Sequence, residues 1–222
     1  FDGINDYVEL TDIDLLQNFT ISAWFKSNSL GTYQNIVSKY VGNINAIGGY
    51  ALLIKSSGEY YAHTNGGSGD DAICVTDTYL TINQWNHISI SLIDNVLIFY
   101  LNGEPIYSCN EMNNSPDTDS NTFIGKAAWG MVELFDGFID NVEIWDLGLT
   151  QEEILEYINC PPTGDENGLV GYWNFEEGPG SGVVIDVSGN GNNGTINGAI
   201  YSDDVPEQNC SNTSSLTDEI NV

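Results

Sequence analysis

Between Asp6 and Asp146 the chain is cut into short β-branched and aromatic segments by Gly, Asn, Asp and Ser, and this punctuation restricts the fold more than any other feature. "DYVEL", "FTISAWFKS", "QNIVSKYV", "YALLIKS", "YYAHT", "WNHISISLI", "VLIFYLNG", "NTFIGK" and "FIDNVEIWD" have the length and composition of strands. In "FTISAWFKS", Phe19, Ile21, Ala23 and Phe25 fall on one side and Trp24 on the other, as a pleated strand requires. In "WNHISISLI", Trp85, His87, Ser89 and Ser91 alternate with Asn86, Ile88, Ile90 and Leu92. Asp94–Asn95 and Asn102–Gly103 are placed to close tight hairpins. The pattern predicts a β-sandwich or jelly roll.

One helix interrupts it. Thr150 and Glu153 have capping-box spacing, and Ile154, Leu155 and Ile158 supply an apolar stripe. Pro161 and Pro162 then stop the helix. Beyond them, "YWNFEEGPGSGVVIDVSGNGNNGTING" (residues 172–198) begins as a strand and turns into a Gly/Asn tract. Such a tract suits a linker, a phosphate loop, a metal loop or a displaced piece of the main domain.

The charge balance narrows the partners. Thirty-two Asp and Glu face four cations, Lys26, Lys39, Lys55 and Lys126, for a net charge of −28. Nucleic acid and anionic membranes need the opposite sign, so neither is an expected partner. Neutral ligands and cations remain, and much of the charge serves plain solvation. The four cysteines have no zinc spacing and point to two disulfides in an oxidising compartment. Three connectivities are open; the pairing expected here is Cys74–Cys109 with Cys160–Cys210. No apolar run reaches the length of a membrane span. The start at "FDGINDYVEL" suggests a piece of a longer precursor.

The segments "FDGINDYVEL", "FTISAWFK", "NIVSKY", "WNHISISL", "FYLNGE", "FIGK" and above all "FDGFIDNVEIWDLGLTQEEI" make the chain similar to the laminin-G-like, concanavalin A-like jelly-roll modules of bacterial surface and secreted proteins. "GLVGYWNFEEG…DVSGNGNNGTINGA" resembles the same family, although in many members that piece precedes the "FDG" segment. Its position here implies that it folds back into its own sandwich or completes a neighbour's by strand donation; the first is expected, since domain termini tend to lie close together.

Calcium is the expected cofactor. Glu176, Asp186, Asn190 and Asn192 offer oxygens on a flexible backbone, as hard cations require. The resemblance adds Asp140, on the last strand, meeting the "FEEG" region, with Asp2 as a further candidate. The tract is no EF-hand: Asp186, Ser188, Asn190 and Gly191 fit its first positions, but Asn197 stands where the bidentate Glu belongs. No lysine follows a phosphate-loop pattern. Glycosidases of similar fold carry E-x-D-x-x-E; here Asp140 and Glu143 follow Phe138, which cannot act as a nucleophile. Glu143 is expected to face solvent. His63 and His87 are the only histidines, and no G-x-S-x-G elbow accompanies them.

Carbohydrate binding fits better. Trp129, Tyr33, Tyr60 and Tyr61 are expected on loops as stacking platforms, with the acidic loops "GGSGDD" and "NNSPDTD" nearby, while Trp24, Trp85, Trp145 and Trp173 are expected in the core. The sequence therefore reads as an all-β jelly-roll β-sandwich, concanavalin A-like and laminin-G-like, with one short helix. Residues 1–206 form it, 169–201 complete its sheets, and 207–222 are a polar tail or linker. Its expected role is a non-catalytic, calcium-stabilised module at the cell surface or outside the cell that binds a glycan or glycoconjugate. A structural subunit joined to neighbouring modules or to itself by strand donation is the alternative.

Overall fold

A computed structural model describes residues 1–39, 49–65, 71–110, 112 and 120–210. Of the two acidic loops, residues 66–70 and 113–119 lie outside the described residues. The elements are β1 (Tyr7–Glu9), β2 (Phe19–Ser27), β3 (Gln34–Ser38), β4 (Tyr50–Ile54), β5 (Glu59–Asn65), β6 (Asp71–Tyr79), β7 (Asn86–Ile93), β8 (Val96–Leu101), β9 (Glu104–Cys109), β10 (Phe123–Ile124), β11 (Gly137–Trp145), α1 (Gln151–Asn159), β12 (Leu169–Trp173), β13 (Val183–Val184) and β14 (Gly194–Asn197).

Two antiparallel sheets stack as a jelly-roll sandwich. One runs β12-β11-β2-β7-β8-β9, the other β13-β14-β1-β10-β3-β4-β5-β6. Strand alternation fills the space between them. Phe19, Ile21, Ala23, Phe25, Ile88, Ile90 and Leu92 of the first sheet meet Leu52, Ile54, Tyr60 and Ala62 of the second in one buried cluster. The Cys74–Cys109 disulfide joins edge strand β6 to edge strand β9. Both hairpin turns form: Asp94 and Asn95 have φ of 49° and 69°, and Asn102 and Gly103 have φ of 52° and 82°. A type I′ turn demands positive φ at both central residues.

The strands after the prolines pair within their own chain. β12 lies beside β11, with Glu143 opposite Tyr172. β14 lies beside β1, with Val8 opposite Ile196, and β13 lies beside β14. Each sheet thus gains outer strands from the end of the chain. The Gly/Asn tract between them is a hydrogen-bonded knot around Asp186. Its Oδ1 accepts from Tyr172 N (3.0 Å), Ser188 N (2.9 Å) and Ser188 Oγ (2.6 Å), and its Oδ2 from Asn192 N (2.9 Å). Asn190 and Asn192 donate their side-chain amides to Val170 O at 3.1 and 2.9 Å. Gly191, with φ of 85°, lets the chain reverse where a Cβ would be strained.

The outward face of the six-stranded sheet is covered in two places. Helix α1 has the expected capping box at Thr150 and Glu153. It buries Ile154 against Tyr100, Trp145, Leu149, Leu169 and Tyr172. Residues 198–210 form a strap without helix or strand. The Cys160–Cys210 disulfide ties its end to the base of α1.

Candidate functional site

The site begins with an irregularity in β11. Its register against β2 steps from Asp140 opposite Trp24 to Glu143 opposite Ser22, a bulge at Asn141, whose φ is 45°. Ile139, Val142 and Ile144 point into the core. The bulge therefore turns Phe138, Asp140 and Glu143 to one face, outward from the sandwich. Glu143 does not reach solvent as expected. It is 2% exposed beneath Trp145 and α1, because the bulge aims it under the helix rather than past it. It accepts from Trp145 Nε1 and Ser22 Oγ, both at 3.1 Å. Burial pushes its carboxyl up to about 7, against the pull of those two bonds.

Two cross-strand rows stand side by side on this face. In one, Asp140 is opposite Trp24 and Trp24 opposite His87. In the other, Phe138 is opposite Lys26, with Trp85 just before β7 on the far side. Lys26 Nζ lies 4.5 Å from the Phe138 ring centroid and 5.6 Å from that of Trp85, a double cation–π contact. The two rings are 6.2 Å apart. His87 packs edge-on to Trp24 at 5.4 Å. Burial pushes its imidazole down to about 3, so it is neutral at physiological pH and no proton donor. Trp24 Nε1 is buried and has no hydrogen-bond partner among the described residues.

Beside these rows opens a cavity of about 850 Å³, between the sheet ends, the N-terminus and the strap. Its aromatic walls are Phe1, Trp85, Phe138, Phe175 and Tyr201, and its polar walls include Asp2, Asp140, Asn174, Glu176 and Asp204. Asp140 is 8% exposed, and one oxygen accepts from Asn141 N at 2.8 Å. Burial raises its carboxyl to about 6; the Asn141 bond opposes this, and the nearby Glu176 charge adds to it. Apolar faces beside oxygen acceptors suit a ligand with rings and hydroxyls.

Of the residues singled out from the sequence, Asp2, Asp140 and Glu176 come together at this cavity. Asp186, Asn190 and Asn192 do not join them; they build the tract's own knot. Both Asp186 oxygens are engaged by N–H and O–H donors of the tract and of β12. Asp2 is turned back on its own loop, accepting from Ile4 N and Asn5 N. Among the described residues, no three Asp, Glu, His or Cys side chains converge to hold a metal ion. Asp140 and Glu176 remain as the pair able to offer carboxylates.

The aromatic expectations need correction. Tyr60 is no loop platform: β5 alternates it inward, where it is 1% exposed and packs edge-on to Phe25 at 6.1 Å. Tyr61, one residue on, is half-buried on the opposite face. Tyr33 and Trp129 are each 38% exposed, and neither lines the cavity. Trp85 is not core but half-buried in the cavity wall. The readable signal is its side of the alternation, shared with His87, Ser89 and Ser91 rather than with the core residues Ile88, Ile90 and Leu92. Nothing in the sequence marked Tyr201 or Asp204, which arrive on the strap.

A family model described as the concanavalin A-like lectin/glucanases superfamily, of laminin G type, matches residues 2–155. Among curated proteins, adhesion G-protein coupled receptor V1 of Danio rerio is 26% identical over 172 residues, 73% of this chain. This chain spans only 3% of that receptor's length. A candidate carbohydrate binding protein of Bacteroides ovatus superposes with a TM-score of 0.73 at 20% identity, covering 91% of this chain and 59% of that one. The CBM40 of a Ruminococcus gnavus IT-sialidase, solved with α2,3-sialyllactose, superposes at 0.54 and 18% identity, over 64% of this chain and 82% of its own. A heptameric SAP-like pentraxin of Limulus polyphemus superposes at 0.53 and 15% identity, over 88% and 96%. These structures share the fold.

Proposed function

Because this chain belongs to the concanavalin A-like lectin/glucanases superfamily, we propose that it is a non-catalytic glycan-binding module that works outside the cell. The observation that carries this reading is the cavity of about 850 Å³ whose wall sets the Trp85 and Phe138 rings beside Asp140, Asn174 and Glu176. Sugars present apolar C–H faces to aromatic rings and hydroxyls to carboxylates and amides. The two disulfides suit an oxidising compartment, and no helix among the described residues is long and apolar enough to cross a membrane.

Binding rather than cleavage is supported by the same face. A retaining glycosidase needs two carboxyls flanking one bond at about 5 Å. Here Phe138 stands at the first position, and Glu143 is sealed beneath α1 by Trp145 and Ser22. Neither supplies a nucleophile to the cavity.

Calcium belongs to the proposal through Asp140 and Glu176 alone. Bound there, the ion would compensate the charge that burial makes costly on Asp140, with water or main-chain oxygens completing its shell. A glycan array probed with and without calcium tests the whole reading. Binding to a defined set of glycans is the expected result, and silence in both conditions contradicts it.

A further inference from the structure

The strap of residues 198–210 is held to the six-stranded sheet at separate points. Cys210 is bonded to Cys160. Gln208 accepts from Asn141 Nδ2 at 2.9 Å and donates to Ile158 O at 3.1 Å. Asp204 is seated between two donors from the sheet. Its Oδ1 accepts from Trp85 Nε1 at 2.9 Å, and its Oδ2 is paired with Lys26 Nζ. The Lys26 side chain is only 14% exposed, laid over the Trp85 and Phe138 rings, while that of Asp204 is 47% exposed. The Lys26 and Trp85 bonds hold the Asp204 carboxyl below the usual carboxylate range. An ammonium and an indole N–H converging on the two oxygens of one carboxylate form a receptor for that group. The receptor is fixed on the sheet; its occupant comes from a segment with no strand pairing.

We infer that Lys26 and Trp85 form a carboxylate-binding subsite at the cavity's edge, that Asp204 fills it as a displaceable internal occupant, and that the ligand it serves is an oligosaccharide bearing a carboxylate, such as a uronic acid. This rests on the glycan-binding reading above and narrows its substrate class. The other carboxylates of the cavity repel an anion, yet a carboxylate is held here against them, because the Lys26 ammonium and the Trp85 indole N–H both direct positive charge at one spot. The remaining lysines are engaged elsewhere: Lys39 with Asp12 and Asp14, Lys55 with Glu59, and Lys126 over Phe123 and Tyr7. Replacing Asp204 by a ligand carboxylate leaves the charge within the subsite unchanged. An ion pair with one partner this exposed contributes little to stability, so the occupant is a weak competitor.

The test compares wild type with Asp204→Ala, using trigalacturonate and the same trisaccharide after reduction of its carboxyls to hydroxymethyl groups. Affinities are read by calorimetry at low and high salt. The variant is expected to bind trigalacturonate about fivefold more tightly, a gain the size of a lost weak competitor. The gain should disappear at high salt and in the double variant carrying Lys26→Met. The neutral sugar should bind both proteins equally. Equal trigalacturonate affinities overturn the subsite, and so does an equal gain for both sugars, which makes the strap a simple cover. Neutral-sugar binding by wild type reports on the glycan-binding reading separately. If neither sugar binds either protein, the subsite falls with it.

Discussion

Phe138 and Trp85 meet with ring centroids 6.2 Å apart, although β2 lies between β11, which carries Phe138, and β7, which Trp85 immediately precedes. Lys26, from that middle strand, lies over both rings. Where a glycosidase of this fold would present a nucleophilic carboxylate, the chain presents one half of an aromatic pair. A Phe138→Glu substitution is expected to break the pair without creating a hydrolase, because Glu143 stays sealed under the helix. Reducing-end assays on oligosaccharides should stay at background for wild type and variant; release of sugar by either contradicts the assignment.

Glu143 gives the fold a pH signature. Burial raises its pKa in the folded state to about 7, above the ordinary glutamate value of 4.5. The folded state therefore holds the proton more tightly than the unfolded chain. The stabilisation is fully present below the unfolded value and is lost as pH rises through about 7. Glu143→Gln keeps an acceptor for Trp145 Nε1 and removes the charge. The variant should flatten the decline in melting temperature between pH 5 and 8, and at pH 8 should be more stable than wild type by up to about 3 kcal/mol. An unchanged slope in thermal melts contradicts the buried, neutral carboxyl.

Asp186 tests what the Gly/Asn tract is for. Its carboxylate gathers four donors that fasten the tract to β12. Removing it leaves buried N–H groups without an acceptor, so Asp186→Ala should cost about 3 kcal/mol. That loss should be the same in EDTA and in calcium. A loss seen only in calcium makes Asp186 a ligand instead.

Asp140 and Glu176 carry the cation proposal. Calcium at about 100 times its Kd should stabilise wild type by about 2.7 kcal/mol through linkage. Asp140→Asn should abolish that shift in melting temperature. A full shift in the variant, or none in wild type, removes calcium from the account.

The sandwich was legible because strand alternation and positive-φ turns are local signals. Phe19, Ile21, Ala23 and Phe25 announce their face, and Asp94–Asn95 and Asn102–Gly103 announce their turns. The capping box at Thr150 is equally local. The site was less legible. It depends on a bulge at Asn141, which reverses the outlook of Glu143, and on a strap that brings Asp204 to residues over a hundred positions earlier. Asp186 is ambiguous in the sequence because a carboxylate among glycines and amides satisfies main-chain N–H groups as well as it would a cation. Tyr60 misled because the end of a loop and the first residues of a strand share a composition.

The most direct measurement sets the cavity against the exposed rim. A glycan bound by wild type is titrated into Trp85→Ala and Trp129→Ala, with melting temperatures taken alongside. Loss of a ring platform should weaken binding on the order of tenfold, about 1.4 kcal/mol, in Trp85→Ala, while Trp129→Ala binds as wild type does. Weakened binding in Trp129→Ala with Trp85→Ala unaffected would place the ligand at the rim and contradict the account.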